Sequence, residues 1–142
     1  MLKNLPKTSH QISTCEANYL RLKKLLNNFS ENKYFFKTVN NDASTNSIVF
    51  SVLQKTKHTL IVEAKQKNYL SRFNCFSIRI HICIDAKLAE VVSYQGEKAI
   101  PSFLKISQIQ SKDERMQQNR FLTEWLENIF QKGISSDFNF ER

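Results

Sequence analysis

The sequence predicts an α+β fold: an antiparallel meander sheet of about five strands, packed by an N-terminal and a C-terminal helix. Near both ends of the 142-residue chain, apolar residues recur three and four positions apart, the period of an α-helix. The chain between them is rich in β-branched and aromatic residues, broken by short turn sequences. We place a flexible N-terminal arm at residues 1–12, a single α+β domain at residues 13–134 and a C-terminal tail at residues 135–142.

The first helix is predicted from Ser13 to about Phe29. Ser13 and Glu16 have the spacing of a capping box, in which two side chains satisfy free backbone N–H groups at a helix start. The residues that follow share one face of a helix, so we expect them to be buried. This apolar stripe consists of Cys15, Tyr19, Leu22, Leu26 and Phe29, widened by Leu20 and Leu25.

The central residues 34–100 are predicted to form strands. Short apolar runs at residues 34–39, 48–53 and 59–64 are separated by turn-rich or basic segments. From Cys75 onwards apolar and polar residues alternate strictly, which predicts a strand with one buried face. Its apolar members are Phe76, Ile78, Ile80, Ile82 and Ile84. A tight turn at Asp85-Ala86 leads to a fifth strand at residues 87–94.

The hairpin formed by the fourth and fifth predicted strands brings ionisable side chains together. It would set His81 directly opposite Glu90, and Arg79 opposite Val92. We favour a structural cross-strand charge pair between His81 and Glu90. The alternative is a histidine whose pKa the carboxylate tunes for proton transfer.

The last helix is the best-determined element of the sequence. Ser111 to Glu114 form a second capping box, and Gly133 is a natural C-cap. Residues 101–110 are predicted to be an extended connection. The apolar stripe of the helix consists of Phe121, Leu122, Trp125, Leu126, Ile129 and Phe130.

The sequence carries no recognisable catalytic machinery. With only two glycines, neither a dinucleotide fingerprint nor a P-loop can be assembled. His81 and Cys83 could reach one metal ion, but Cys75 is too far along the same strand to join them. Cys15, placed in a first helical turn, would have a lowered pKa, yet it also belongs to an apolar stripe. We therefore predict no catalytic residue, no metal and no cofactor, and an enzyme is the third alternative.

The positive net charge of the chain is consistent with a nucleic-acid partner. The formal net charge is +8, which can steer a protein towards RNA, although a lysine-rich solvated surface explains it equally well. Stacking on bases would need exposed aromatic residues, for which Tyr69 and Phe73 are the candidates. The predicted basic patch consists of Arg21, Lys23, Lys24, Lys55, Lys57, Lys65 and Lys67.

Three scattered cysteines indicate free thiols in a reducing compartment. The N-terminus lacks the apolar core of a signal peptide, and no apolar run approaches the ~18–20 residues of a membrane-spanning helix. We therefore expect a cytoplasmic protein without a membrane partner.

Three motifs resemble the YqiB-like family of small, uncharacterised proteobacterial proteins, grouped as a domain of unknown function. One lies between Cys15 and Leu26, one in the hairpin around Asp85-Ala86, and the most specific between Asp113 and Leu126. Lys112 stands where that family usually has Arg. The resemblance implies a cytoplasmic single-domain protein and supplies no activity or substrate.

Polar residues within these motifs suggest a contact surface. Gln117 and Asn119 interrupt a helix that does not need them, since Asn is a poor helix former. Either one of them braces the sheet from inside the fold, or they form a surface for a partner. The predicted polar surface consists of Glu16, Asn18, Arg79, His81, Glu90, Asp113, Glu114, Gln117 and Asn119. We expect a non-enzymatic protein-binding or adaptor domain. The alternative is a basic accessory protein that binds RNA or ribosomes, and no small-molecule substrate is identified.

Overall fold

A computed structural model describes residues 4–40, 43–68, 75–96 and 111–135, and it confirms the predicted α+β fold. A five-stranded antiparallel meander follows an N-terminal helix and precedes a C-terminal helix. In chain order the elements are α1 (Asn4–Leu25), a short 3₁₀ helix (Asn27–Phe29), β1 (Lys33–Val39), β2 (Thr45–Lys55), β3 (Thr59–Lys67), β4 (Phe76–Cys83), β5 (Leu88–Gly96), α2 (Ser111–Lys132) and β6 (Ile134–Ser135).

The sheet has the order β5-β4-β3-β2-β1-β6, and every neighbouring pair is antiparallel. The two-residue strand β6 is not predicted by the sequence, because two residues carry no readable alternation. It pairs with Phe36 and Lys37 of β1. Helix α2 contacts both β5 and β1, so it crosses the sheet before the chain enters β6, at the edge beside β1.

The hydrophobic core lies between the two helices and one face of the sheet. On this inner face, alternate residues of the central strands are fully buried, as their period-2 pattern predicts. Trp125 of α2 packs on Phe50 with ring centroids 5.4 Å apart, and its Nε1 donates a 2.8 Å hydrogen bond to Oε1 of Gln66. The main members from the sheet are Ile48, Phe50, Leu60, Val62, Ile78, Ile80, Ile82 and Val91.

Helix α1 begins earlier than predicted. It includes residues 4–12, which were predicted to be an arm, and Ser13 lies inside it, so the predicted N-cap at Ser13 is wrong. Pro6 stands in the first turn, where its missing N–H leaves no helical bond unmade. The helix ends at Leu25, because Asn27 and Asn28 take left-handed backbone angles (φ 49° and 59°) that Asn tolerates.

The apolar stripe of α1 is confirmed, with one exception. Its five predicted members are buried. Leu20, however, is 61% exposed, because it lies on the flank of the helix away from the sheet. The predicted burial of Leu20 is therefore wrong.

The alternation in β4 is confirmed, and its register with β5 is confirmed in part. His81 lies opposite Glu90, as the turn predicts. Beyond that pair the register shifts: Ile80 faces Val91 and Arg79 faces Ser93, which leaves Val92 unpaired. The predicted pairing of Arg79 with Val92 is wrong because of this β-bulge.

Helix α2 begins at Ser111 and ends at Lys132, as predicted. Gly133 follows directly, and its N–H donates to the carbonyl oxygen of Ile129 (2.6 Å). The side chains of the predicted capping box at residues 111–113 and the predicted connection at residues 101–110 lie outside the described residues. Within those that are described, neither helix is long and apolar enough to cross a membrane.

A buried polar cluster, not predicted by the sequence, lies near the β1–β2 turn. Nδ2 of Asn46 donates to Oγ1 of Thr38 (3.1 Å), and Nδ2 of Asn68 donates to Oδ1 of Asn46 (2.8 Å). Nδ2 of Asn40 donates to Oγ of Ser44 (2.9 Å). Because these groups satisfy one another, they are tolerated in the interior.

Candidate functional site

The predicted polar surface is divided between the two sides of the sheet. Arg79, His81 and Glu90 lie on the face that is turned away from α1 and α2. The helical members lie on the other side of the molecule, so the nine residues do not form one surface. Of these helical residues, Glu16 and Glu114 are exposed, Gln117 is half-buried, and the side chain of Asp113 lies outside the described part.

Asn18 and Asn119 are buried between the helices, so their prediction as contact residues is wrong. Asn18 is 0% and Asn119 is 1% exposed. Nδ2 of Asn18 donates to the main-chain oxygen of Asn119 (3.2 Å), and Oγ1 of Thr123 donates to Oδ1 of Asn18 (3.0 Å). Oδ1 of Asn119 accepts from the main-chain N–H of Val91 (2.8 Å), beside the β-bulge. The other interpretation, a polar residue that braces the sheet from inside, is confirmed for Asn119.

The register of the His81 hairpin is confirmed, but its charge pair is not. Within the described residues, His81 and Glu90 form no ion pair. A histidine–carboxylate pair lies instead between the turns of two hairpins, where Nδ1 of His58 contacts Oδ2 of Asp85 (2.5 Å). Both of these side chains are more than half exposed, so this pair contributes little to stability.

The predicted basic patch is also divided. Arg21 is held by Glu127 of α2 (Nε–Oε2 2.7 Å), which removes it from any free cationic surface. Two lysines lie at the end of α1, two at the tip of the β2–β3 hairpin, and two on the outward side of β3. In that order the pairs are Lys23 and Lys24, Lys55 and Lys57, and Lys65 and Lys67.

A different basic surface lies on the sheet face opposite α1 and α2, which we call the open face. Register aligns Lys37, Ser47 and Lys67 across β1, β2 and β3, and in a second row aligns Val49, Lys65 and Ser77. Arg79 is 55% exposed and approaches Glu63 at 3.9 Å. The open face carries the cations Lys33, Lys37, Lys65, Lys67 and Arg79, the carboxylates Glu63 and Glu90, and the neutral residues Phe35, Ser47, Val49, Ser51, Ile61, Ser77, His81 and Cys83.

The cations Lys33 and Lys37 were missed in the sequence. They alternate with Tyr34 and Phe36 along β1, and this period-2 pattern places them opposite the buried residues. What was lacking is the register. The predicted meander already sets β1 and β3 on either side of β2, but the sequence does not show which of their residues lie opposite each other. Without that register, the proximity of Lys37 and Lys67 could not be foreseen.

Apolar side chains are also present on the open face. Phe35 lies opposite Val49, and Ile61 lies opposite His81; all three apolar residues are half-buried. Phe35 is the only aromatic residue on this face within the described strands. The open face therefore combines small apolar areas with a surrounding excess of positive charge.

The cysteines do not assemble a reactive site in the described part of the chain. Burial, with the nearby Glu90 carboxylate as a smaller cause, raises the pKa of the Cys15 thiol from 9.0 to about 11. The predicted lowering is wrong, because Cys15 lies in the middle of α1 and not in its first turn. A protonated thiol is a poor nucleophile. Among the described residues, no group of three or more His, Cys, Asp and Glu could hold a metal ion.

Comparison with known proteins gives one match. The model of a protein family described as "Protein of unknown function (DUF1249)" matches residues 21–135. No curated protein matches the chain. No solved structure matches it either.

Proposed function

The chain belongs to the DUF1249 family of proteins of unknown function, and we propose that it is a cytoplasmic, non-enzymatic binding protein whose partner is a protein. The open face would be the contact, and an acidic surface would be its complement. We place the chain with the YqiB-like members on the strength of the motif between Asp113 and Leu126.

The observation that carries this proposal is the charge of the open face. Five cations share it with two carboxylates, and one of these, Glu63, lies close to both Lys65 (3.6 Å) and Arg79 (3.9 Å). The remaining cations create a positive potential that attracts an acidic partner and accelerates its association. Both described helices pack on the opposite side of the sheet, so they leave this face accessible.

The apolar residues favour a protein over RNA. Protein interfaces combine an apolar centre with a polar, hydrated rim, and Phe35, Val49 and Ile61 lie among the charged residues in this way. Proteins that bind single-stranded nucleic acid usually stack several bases on exposed aromatic rings. The described strands offer Phe35 alone for that purpose.

RNA or a ribosome is the second candidate, and a specific row of residues favours it. Lys37 and Lys67 flank Ser47, and Lys65 lies in the next row, so three cations on one side of the sheet can contact phosphate groups of an RNA backbone. Binding of this kind would weaken steeply with added salt, because each neutralised phosphate releases a counterion.

Affinity capture from cell lysate tests the proposal. The bait proteins are the wild type, a double variant Lys65→Gln/Lys67→Gln on the open face, and a control Lys23→Gln/Lys24→Gln at the end of α1. The control removes the same charge from the opposite side of the molecule. Any captured partner is then purified and titrated against all three proteins at two salt concentrations.

We expect the open-face variant to bind a purified protein partner about tenfold more weakly, while the control matches the wild type. Loss of all partners after nuclease treatment would select RNA instead. Equal binding by all three proteins would exclude the open face as the contact.

A further inference from the structure

A depression lies on the open face, where β3, β4 and β5 run side by side. Its volume is about 420 Å³. Ligand sites in proteins usually have volumes of about 300–1,000 Å³, so the depression is large enough to receive a side chain of a partner. Its lining includes Lys65 and Lys67 of β3, Ser77 of β4 and Gln95 of β5.

The register of the sheet places these four residues on the same side. Lys65 lies directly opposite Ser77, and Ser77 lies directly opposite Gln95. Side chains of directly opposed residues project from the same face of a sheet. Lys67 follows Lys65 by two positions along β3, so it shares that face at a Cα distance of about 6.5 Å. Four side chains that can donate hydrogen bonds therefore surround one depression.

The two lysines give the depression a positive charge that its surroundings do not cancel. Lys67 is exposed and forms no ion pair with another described residue. Lys65 lies 3.6 Å from Glu63, but this carboxylate is also close to Arg79, at 3.9 Å, and it does not line the depression. Because one negative charge is shared between Lys65 and Arg79, an anionic partner is still attracted to this part of the open face.

The donors match a phosphate monoester better than a carboxylate. A phosphorylated serine or threonine carries about −1.5 to −2 charges at pH 7 and presents three strong acceptor oxygens. It can neutralise both lysines, whereas a carboxylate brings one charge and two oxygens. The side chains of Ser77 and Gln95 form no hydrogen bond with another described residue, so both are available to phosphate oxygens.

An apolar surface adjoins the depression. The row that contains Lys65 continues through Val49 of β2 to Phe35 of β1. Neighbouring strands are about 4.8 Å apart, so these two half-buried residues lie roughly 5 and 10 Å from Lys65. In an extended peptide, side chains two positions apart point to the same side and are about 6.5 Å apart. A peptide with its phosphate in the depression can thus place an apolar side chain on Val49 and Phe35.

We propose that the open face recognises a phosphorylated serine or threonine of its protein partner, with an apolar residue two positions away. The phosphate group binds between Lys65 and Lys67, and the apolar side chain packs on Val49 and Phe35. This inference rests on the proposed function, because it identifies the acidic group by which the protein partner contacts the open face. RNA fits the depression less well, since each phosphate of its backbone carries a single charge.

Nuclear magnetic resonance titration of the full chain with synthetic peptides tests the inference. The phosphopeptide is acetyl-Leu-Gly-phosphoserine-Gly-Leu-amide. Glutamate replaces phosphoserine in a second peptide, glycine replaces both leucines in a third, and a ten-nucleotide oligouridine is the RNA probe. We expect the phosphopeptide to shift the backbone amide resonances of Lys67 and Ser77 and the side-chain NH₂ of Gln95 saturably at millimolar concentration. The glutamate peptide should bind at least tenfold more weakly, and the glycine peptide severalfold more weakly.

Three results would overturn the inference. They are the absence of a saturable shift with the phosphopeptide, equal affinity for the glutamate peptide, and tighter binding of the oligouridine at the same amides, which would select RNA. Equal affinity for the glycine peptide would contradict the apolar contact. The proposed function is tested separately with the captured partner, so a partner that binds the open face without a phosphate would leave that function intact and refute only the phosphate.

Variants of the depression extend the test. Lys67→Gln should weaken phosphopeptide binding about tenfold, and Gln95→Glu should abolish it, because a carboxylate then lies beside the phosphate. Both positions are exposed, and circular dichroism verifies that the variants fold. Lys33→Gln is the matched control, since it removes an exposed cation of the open face that does not line the depression. Equal weakening by Lys67→Gln and Lys33→Gln would mean that the peptide responds only to the total charge of the face, which would contradict a phosphate site.

Discussion

Asn119 shows how one polar residue can join three elements. Its main-chain oxygen accepts a hydrogen bond from Nδ2 of Asn18 in α1, and its side-chain Oδ1 accepts from the main-chain N–H of Val91 in β5. An amide at a β-bulge is released from the regular ladder and needs another acceptor. Asn119 supplies that acceptor from the helix, which explains why a poor helix former lies in the middle of α2.

Cys15 gives a prediction at the residue scale. Its pKa is raised to about 11 in the folded chain, above the ordinary value of 9.0. The stability that depends on the protonated thiol is therefore fully present below about pH 9, and it is lost as the pH rises towards 11. Over this range we expect the free energy of unfolding, measured in urea, to fall more steeply with pH for the wild type than for Cys15→Ala. The two slopes should differ by up to about 1.4 kcal/mol per pH unit.

Cys15→Ser is the companion variant for this measurement. It differs from Cys15→Ala in stability at neutral pH, because a hydroxyl is buried at this position. Both variants lack the thiol, so both should show the same flatter dependence on pH. Curves that run parallel to that of the wild type would contradict the raised pKa.

At the scale of the elements, the end of α2 depends on close contact with Gly133. A Cβ atom added at this residue would lie 2.9 Å from Cγ2 of Ile129 and would collide with the carbonyl oxygen of Ile129. Gly133 does not have a positive φ, so the requirement is for space and not for a left-handed conformation. Its small size lets the chain turn from α2 into β6.

We expect Gly133→Ala to lower the free energy of unfolding by about 2 kcal/mol, because the added methyl group forces the last turn of α2 apart. Urea denaturation measures this loss. Lys132→Ala is the control, since Lys132 is exposed and its replacement should change stability by less than about 0.5 kcal/mol. Equal stability of the two variants would show that the turn relaxes without cost.

The elements also show how far sequence patterns predict the structure. The alternation of β4 is confirmed, and so is the α2 stripe at Leu122, Trp125, Leu126 and Ile129, which are buried. Phe121 is half-buried, and the predicted burial of Phe130 is wrong, because this side chain is 40% exposed. The start of α1 was not predicted, because the capping signal at Ser13 is local and the helix continues through it to Asn4. A capping sequence can cap a helix only where the preceding residues leave the helical conformation.

At the scale of the whole molecule, Trp125 reports on how the helices and sheet hold together. It is the only tryptophan in the chain, it is 5% exposed, and it packs against Phe50 and Phe76. The buried residues form one cluster that includes both helices and the central strands. A single core of this size favours one cooperative unfolding transition.

We therefore expect tryptophan fluorescence and far-ultraviolet circular dichroism to give the same midpoint in urea. Fluorescence reports the contact between α2 and the sheet, and circular dichroism reports the backbone of all elements. Trp125→Phe, monitored by circular dichroism alone, measures what the hydrogen bond to Gln66 contributes. A fluorescence transition that precedes the loss of secondary structure would mean that α2 leaves the sheet first.

The residue pattern alone settles which side chains share a face of each helix and strand, because that depends only on the periods of 3.6 and 2. It thus predicted the α+β class and most of the buried stripes, and together with the turn at Asp85-Ala86 it predicted the pairing of His81 with Glu90. Which faces are covered depends on contacts between distant segments. The burial of Asn18 and Asn119, the bulge at Val92 and the alignment of Lys37 with Lys67 all arise in this way. Local periodicity is the same whether a face meets a neighbour or solvent, so the open face emerges only when the helices pack on the sheet.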